Sequence, residues 1–437
     1  MNDRHYRPTS WSGISSTWRV LRWRHLWFAA LLASPVSALA ELALIAAGDV
    51  RYEYNTNVFD LQQGFPTPFT PVGVTNSSDI KYSDSYIAYG GKFDASYLLS
   101  QQQFYATVLG TEYHYDRFTE LDHSEYTFDG GWDWKVGRLW DGVLDVTRIR
   151  SMVSFWNVVG TSLVLQTEQR ETAKASVQAT PDWRAEFTGL TRKVDQPQTL
   201  APDLSLTETS GQAAIKYTGT AGVTSGLTAT YLKGSFSNTG PTVAPSYTQE
   251  SAGLTATDVV TGLSTFRGQI GYTRRSSDSG NNNIGGVTGE LDYQRALTGK
   301  TTVEADLTRA INVYLTNDAS EIDSVAVLTA TWQATYKIGV VLGYNFTYRQ
   351  LPRQGDAYGA GGVIVATGTE QTEHLSTPSL AVTYTPVPWL VLKPYVNYQT
   401  RASQNFVGGD FNSTVVGVQF TLQLQRGVIP ARTPLNY

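Results

Sequence analysis

From about residue 42 to residue 424 the chain keeps a two-residue rhythm of apolar and polar positions that stops and restarts many times. Tyr126, Phe128, Gly130, Trp132, Trp134 and Val136 alternate with Thr127, Asp129, Gly131, Asp133 and Lys135. Successive side chains of a strand point to opposite faces, so such a segment has one apolar face and one wet face. Ile87, Tyr89, Gly91, Phe93, Ala95, Tyr97 and Leu99 repeat the pattern, as do Val340, Leu342, Tyr344, Phe346 and Tyr348. The rhythm predicts eighteen strands, with sixteen the next count. They fall at 42–54, 84–100, 102–117, 122–136, 142–155, 166–180, 183–195, 206–218, 223–236, 247–258, 262–275, 285–297, 301–315, 322–337, 339–351, 372–385, 388–401 and 412–424. In 142–155 neither face is cleanly apolar.

The connections carry separate information. Gaps after odd-numbered strands are mostly long, at 55–83, 156–165, 196–205, 237–246, 276–284, 352–371 and 402–411. Gaps after even-numbered strands are short, as at Pro181-Asp182, Thr298-Gly299 and Pro386-Val387. Long outer loops and short periplasmic turns are the habit of outer-membrane barrels, and an even count lets the first and last strands close the sheet without an edge. The fold class expected is therefore all-β: a transmembrane antiparallel up-and-down barrel. A propeller would instead repeat a motif every 40–50 residues or so, and no such repeat is visible.

Residues 1–40 read as a secretory signal peptide: Arg4, Arg7, Arg19, Arg22 and Arg24 precede the apolar run Leu26 to Ala33, and Ala38-Leu39-Ala40 supplies an A-x-A cleavage site. The expected organisation is that signal, a barrel over 41–425 and a short periplasmic tail over 426–437, placed in the outer membrane of a Gram-negative bacterium. The whole chain carries −5. With five Arg and one Asp in residues 1–40, the remainder carries −9. No basic patch points to nucleic acid. Cysteine is absent, which removes disulfides and thiol chemistry, while 25 Tyr and 11 Trp suit the aromatic girdles of a barrel.

Candidate chemistry is sparse. His114, His123 and His374 lack ligand spacing, no Ser-His-Asp or G-x-S-x-G pattern occurs, and the run Ser279 to Asn283 has only Asp278 beside it as a carboxylate. No enzyme, metal or cofactor is expected. What the wet face offers is a charged lining. Alternation points Asp49, Arg51, Glu53, Lys92, Asp94, Asp129, Asp133, Lys135, Lys174, Lys216, Glu290, Asp292, Glu304, Asp306, Arg349 and Lys393 toward the lumen, with Asn345, Tyr395, Asn397 and Gln399 as candidate sugar-binding groups. Both signs occur and acids are in excess, unlike the Arg or Lys rings of an anion pore. The same lining is equally readable as an ion-pair network inside a plugged barrel, and the outer loops 55–83 and 352–371 are candidates to constrict the passage. In the last strand Gly417, Phe420 and Leu422 match the G-x-x-apolar-x-apolar spacing that the barrel assembly machinery reads.

Gly48 to Phe59 (GDVRYEYNTNVF) and the stretch around 83–126 carry a resemblance. So do the Tyr54-Asn55-Thr56-Asn57-Val58-Phe59 element, the Ser100-Gln101-Gln102 turn, Tyr115-Asp116-Arg117-Phe118, Trp132-Asp133-Trp134 with Gly137 to Gly142, and Thr180-Pro181-Asp182-Trp183-Arg184. Carried mainly by residues 48–192, it resembles the EpsL-like outer-membrane barrels of exopolysaccharide loci, related to the β-barrel porin group. The resemblance implies a passive conduit for exopolysaccharide, with periplasmic polysaccharide-export proteins as partners, and supplies no catalytic residues. A porin for small solutes and a structural barrel anchoring an export complex are the alternatives.

Overall fold

The computed structural model describes residues 41–62, 81–155, 161–196, 205–220, 222–237, 246–261, 263–278, 283–314, 319–351, 357–358, 364–366, 370–404 and 409–426. Residues 1–40, expected as the signal peptide, residues 427–437 of the expected 426–437 tail and much of the predicted long loops lie outside the described residues; Arg426 belongs to the last strand.

Eighteen antiparallel strands form one closed sheet. In chain order they are β1 (Glu41–Asn55), β2 (Asp84–Leu99), β3 (Gln102–Tyr115), β4 (His123–Val136), β5 (Trp140–Met152), β6 (Leu165–Gln178), β7 (Trp183–Asp195), β8 (Leu206–Thr218) and β9 (Thr224–Phe236). There follow β10 (Ser246–Thr261), β11 (Ser264–Ser277), β12 (Ile284–Thr298), β13 (Thr301–Tyr314), β14 (Ala319–Gln333) and β15 (Ile338–Leu351). After a small separate hairpin, β16 (Ala357–Tyr358) with β17 (Ile364–Ala366), come β18 (Gln371–Val387), β19 (Leu390–Gln404) and β20 (Phe411–Arg426). Each wall strand pairs with its neighbours in sequence, and β1 pairs with both β2 and β20, so no edge remains. The ladders thereby satisfy the strand backbone within the sheet apart from a few register breaks, as a lipid interior demands.

One face of this wall is apolar and uncovered: Val50, Tyr52, Ile87, Tyr89, Phe187, Leu227, Leu254, Ile270, Val287, Leu342, Phe420 and Leu422 are all exposed. Trp140, Trp183, Tyr217, Trp332 and Trp389 mark its short-turn end, and Tyr54, Tyr272 and Tyr398 its loop end. A water-facing surface would not carry this; a bilayer-facing band with aromatic girdles does. The tight turns use left-handed backbone where needed, with Gly137 at φ +63 and Gly222 at φ +85.

The eighteen predicted strands match the wall strands to within a few residues at their ends. The segment without a clean apolar face is β5, and the structure explains why. Val143 is buried on the polar face, between Asp141 and Asp145, while Arg148 is exposed on the apolar one beside Phe128. The β16–β17 hairpin falls within a predicted loop; its strands are too short to show a period.

Candidate functional site: the polar wall and its outer mouth

At the long-loop end, the chain leaving β1 turns back onto the wall. Asn57 directs this turn: its backbone N–H donates to Asn55 Oδ1 at 2.8 Å, its Nδ2 donates to the carbonyls of Leu61 (2.8 Å) and Asn412 (3.1 Å), and its Oδ1 accepts from the Leu61 N–H (3.3 Å). Thr56 and Thr414 exchange hydrogen bonds, fastening the turn to β20. Asp60 sits at φ +49, a left-handed conformation that Asp tolerates better than most residues. Val58, Phe59 and Leu61 then bury against Tyr82, Tyr86, Ala88, Tyr115, Phe118, Leu121 and Phe155. Phe59 meets the Phe118 and Phe155 rings edge-on at 4.7 and 5.1 Å. Asp84 locks the far side by accepting from the backbone N–H groups of Arg117 and Phe118. Tyr86 and Ala88 share the polar face of β2, so this apolar cluster lies inside the mouth. The described stem of the first loop, residues 56–62, thus leans inward, whereas residues 63–80 and most of 352–371 lie outside the described residues. Burial pushes the Asp60 carboxyl up to about 7, against the pull of Arg401.

The predicted lining residues share the face opposite the exposed apolar one, the face we assign to the lumen. One connected part surrounds β1. Glu53 accepts hydrogen bonds from the hydroxyls of Tyr86 (2.5 Å) and Tyr395, and the Arg51 guanidinium lies over the Tyr86 and Tyr113 rings at 5.6 Å while donating to Tyr113 Oη at 3.2 Å. Gly417 lies opposite Glu53 across the sheet, under the Tyr395 ring: a Cβ there would come within 2.4 Å of Tyr395 Cζ. Phe420 and Leu422, the rest of that spacing, face out on the apolar side.

A second network crosses β6, β7 and β8. Arg192 bridges Glu168 (2.9 Å) and Glu208 (3.0 Å), and Glu208 also accepts from the Tyr247 hydroxyl. Nearer the turns, Glu186 gathers Lys174 (3.4 Å), Arg184 (3.0 Å) and Lys216 (2.9 Å), with Arg184 forked onto Asp141 at 2.9 and 2.5 Å. A third network, on β14, β15, β18 and β19, holds Arg349 between Glu321 and Asp323 (both 3.0 Å), with Glu373 linking it to Arg401 at 2.6 Å. Alternation along β7 alone would have put Arg184, Glu186 and Arg192 on one face; the cross-strand register that joins them to β6 and β8 is not written in any one strand.

Two arcs of the wall are acid-weighted. On β12 and β13, Glu290, Asp292, Glu304 and Asp306 share the polar face, Asp292 lies directly opposite Asp306, and the nearest cation, Arg267, stands 4.0 Å from Asp292. On β2, β4 and β5, Asp94, Asp129, Asp133 and Asp145 cluster, with Lys92 at 2.9 Å from Asp94 and Thr107, Thr147 and Tyr105 donating to the carboxylates. In the strand order these arcs lie about half a circumference apart. Asp49, Lys135, Lys393, Asn345 and Asn397 stand on the same face between the networks, Lys135, Lys393 and Asn345 of them exposed.

Among solved structures the chain is similar to the outer-membrane protein OpdK of Pseudomonas aeruginosa (12% identity, 87% of this chain and 99% of that one, TM-score 0.44). It is also similar to OccAB3 of Acinetobacter baumannii (10%, 88% and 100%, 0.45) and to the siderophore receptor PirA of P. aeruginosa (9%, 87% and 80%, 0.44). The closed eighteen-strand wall with its exposed apolar band is the architecture of a transmembrane β-barrel. No protein-family model and no curated protein matches the chain.

Proposed function

We propose that this barrel is a channel for small hydrophilic solutes with a preference for cations. The observation that supports it is the pair of acid-weighted arcs facing each other across a polar wall. Eighteen strands leave an aqueous interior unless loops fill it, and a passage lined by carboxylates on two sides concentrates cations and repels anions. The tyrosine–carboxylate cluster at β1 and the two ion-pair networks hold the remaining circumference in a fixed shape, and the inward stem of the first loop narrows the mouth. Gly417, Phe420 and Leu422 serve as the signal for the barrel assembly machinery, and residues 1–40 as the export signal.

A second reading, passage of an exopolysaccharide handed over by periplasmic export proteins, is favoured by the resemblance in residues 48–192. Their motifs have local structural duties: the Tyr54 to Phe59 and Tyr115 to Phe118 elements meet at the mouth, and Gln102 accepts from Trp132 Nε1 at 2.9 Å beside the first turn. The candidate sugar platform Tyr395 has its hydroxyl committed to Glu53, which favours the small-solute reading.

Reconstitution in planar bilayers under a KCl gradient decides between them. The expected result is a conducting channel whose reversal potential has the cation-selective sign. A sealed barrel would remove the channel reading and leave the structural anchor. A conducting barrel whose deletion strips polymer from the cell surface and accumulates it in the periplasm would establish the conduit.

A further inference from the structure

The apolar face carries charge that neither reading uses. Arg148 and Arg150 on β5, Lys193 on β7, Lys233 on β9, Arg274 on β11 and Arg309 on β13 all point to the membrane side. Their neighbours in register or alternation establish this: Arg148 lies opposite Phe128, Lys233 follows Tyr231, Arg274 follows Tyr272, and Arg309 follows Leu307, all exposed apolar positions. Each sits in the outer, long-loop half of its strand, on the side of the outer leaflet. In the corresponding outer halves of β14, β15, β18 to β20 and β1 to β4, no Lys or Arg shares this face among the described residues. The cations therefore form an arc over one side of the barrel. Strands are about 4.8 Å apart, so successive members on alternate strands stand roughly 10 Å from one another.

The arc is net positive. Beside the arc the acids on the same face are Glu171, held by Gln169 at 2.7 Å, Asp195, and Glu250, opposite Arg274 in register, while Asp258 lies at the far, short-turn end. Arg309 donates to Ser324 Oγ at 2.6 Å. For Arg148, Arg150, Lys193, Lys233 and Arg274 there is no carboxylate within 4.0 Å among the described residues.

Beneath the arc, toward the membrane centre, the same face is hollow. Ala173, Gly189, Gly211, Ala213 and Ala229 floor a groove of about 830 Å³ walled by side chains that include Leu144, Phe187 and Tyr231. Lys193 lies four residues outward of Gly189, Arg148 four outward of Leu144 and Lys233 two outward of Tyr231. At about 3.3 Å per residue, the cations stand roughly 7–13 Å above the groove. A basic rim over an apolar groove fits one partner: a phosphorylated glycolipid of the outer leaflet, its phosphates on the arc and an acyl chain in the groove. We infer that the wall from β5 to β13 is a docking surface for such a lipid. Charge complementarity selects the phosphate, and the small-residue floor leaves room for the chain.

The test is binding of bis-phosphorylated lipid A to the detergent-solubilised full barrel, followed by native mass spectrometry. The triple variant Lys193→Gln, Lys233→Gln, Arg274→Gln should lose at least tenfold in affinity, and dephosphorylated lipid A should bind the parent barrel equally poorly. Arg295→Gln, which alters an exposed cation on the same face near the short turns, should change nothing. A Cβ added at Gly189 or Gly211 would meet nothing within 4 Å, so Gly211→Leu projects a side chain into the groove and should weaken binding several-fold. Heat-modifiable mobility on gels establishes that each variant is folded. Equal affinity in the triple variant, or equal binding of the dephosphorylated lipid, would overturn the assignment. Loss only with Gly211→Leu would leave an apolar groove without phosphate recognition, and overturn it as well.

Discussion

Two stretches of the same polar wall follow the same alternation and come to opposite electrostatic ends. On β6 to β8, Arg192 stands between Glu168 and Glu208, and each carboxylate has a cation within 3.0 Å. On β12 and β13, four carboxylates stand together with one cation at 4.0 Å from one of them. The first stretch pairs its charges with one another and so braces the cylinder. The second leaves its charges facing the interior, where mobile cations can answer them. The signs along each strand separate the two stretches, and register decides which opposite charges meet. Moving β7 by one residue against β6 would turn Arg192 away from Glu168, because a one-residue slip sends every side chain to the other face.

The sharpest way to break the contrast is to remove the centre of the braced stretch. Arg192→Met leaves Glu168 and Glu208 partly buried without their shared cation, and should cost roughly 2–3 kcal/mol after allowance for the partial exposure of the site. Urea-driven unfolding in lipid, followed by tryptophan fluorescence, measures this. A loss below about half a kcal/mol would mean that the network braces nothing.

Next in size is Gly417→Val. Its side chain would collide with the Tyr395 ring, displace the hydroxyl from Glu53 and open the β1–β20 closure. Overpacking of this kind costs about 1–3 kcal/mol. The companion change Tyr395→Ala creates the missing space, so the double variant should recover part of the loss. If it recovers none, the damage lies in recognition by the assembly machinery, and assembly kinetics rather than stability should carry the defect.

How much of this was legible beforehand depends on range. The strands, their faces and the loop asymmetry follow from residues two apart, so the eighteen-strand barrel and the polar placement of Arg51, Glu53 or Asp306 could be read from the chain. The partners could not. Glu53 meets Tyr395 across 342 positions of sequence, and only barrel closure brings them together. The Tyr54 to Phe59 element stood out only as a resemblance; neither its inward turn at Asn57 nor its landing place on Phe118 and Phe155 was legible. The clearest missed signal was β5: its spoiled apolar face marked Arg148 and Arg150, the first members of the membrane-side arc.

A smaller effect comes from pH at the mouth. Asp60 has its carboxyl pushed up to about 7 by burial, whereas the unfolded chain would hold it near 4. The docked stem therefore binds a proton that the undocked stem releases between those values. The stabilisation is fully present below about pH 4 and falls away as pH rises through 7. Single-channel conductance should rise from pH 5 to pH 8 as residues 56–62 loosen, and Asp60→Asn should flatten that rise at the low-pH level. A rise that persists in Asp60→Asn would assign the pH response to the wall carboxylates instead.

The least effect on stability, and the most telling for function, is expected from Glu304→Gln with Asp306→Asn. These side chains stand beside other carboxylates, so removing their charge relieves repulsion, and the unfolding free energy should stay within about 0.5 kcal/mol or rise slightly. Conduction should respond strongly. With one acid-weighted arc neutralised, the reversal potential under a KCl gradient should move toward zero while open-channel conductance changes little. The matching change on the braced side, Glu186→Gln, removes the common partner of Lys174, Arg184 and Lys216, and should lower stability while adding cationic field to the wall. If both variants shift selectivity toward anions but only the second destabilises, the division between bracing and conducting arcs stands. If the acid-weighted pair proves as costly to remove as Glu186, those carboxylates are structural, and the cation preference must originate elsewhere in the wall.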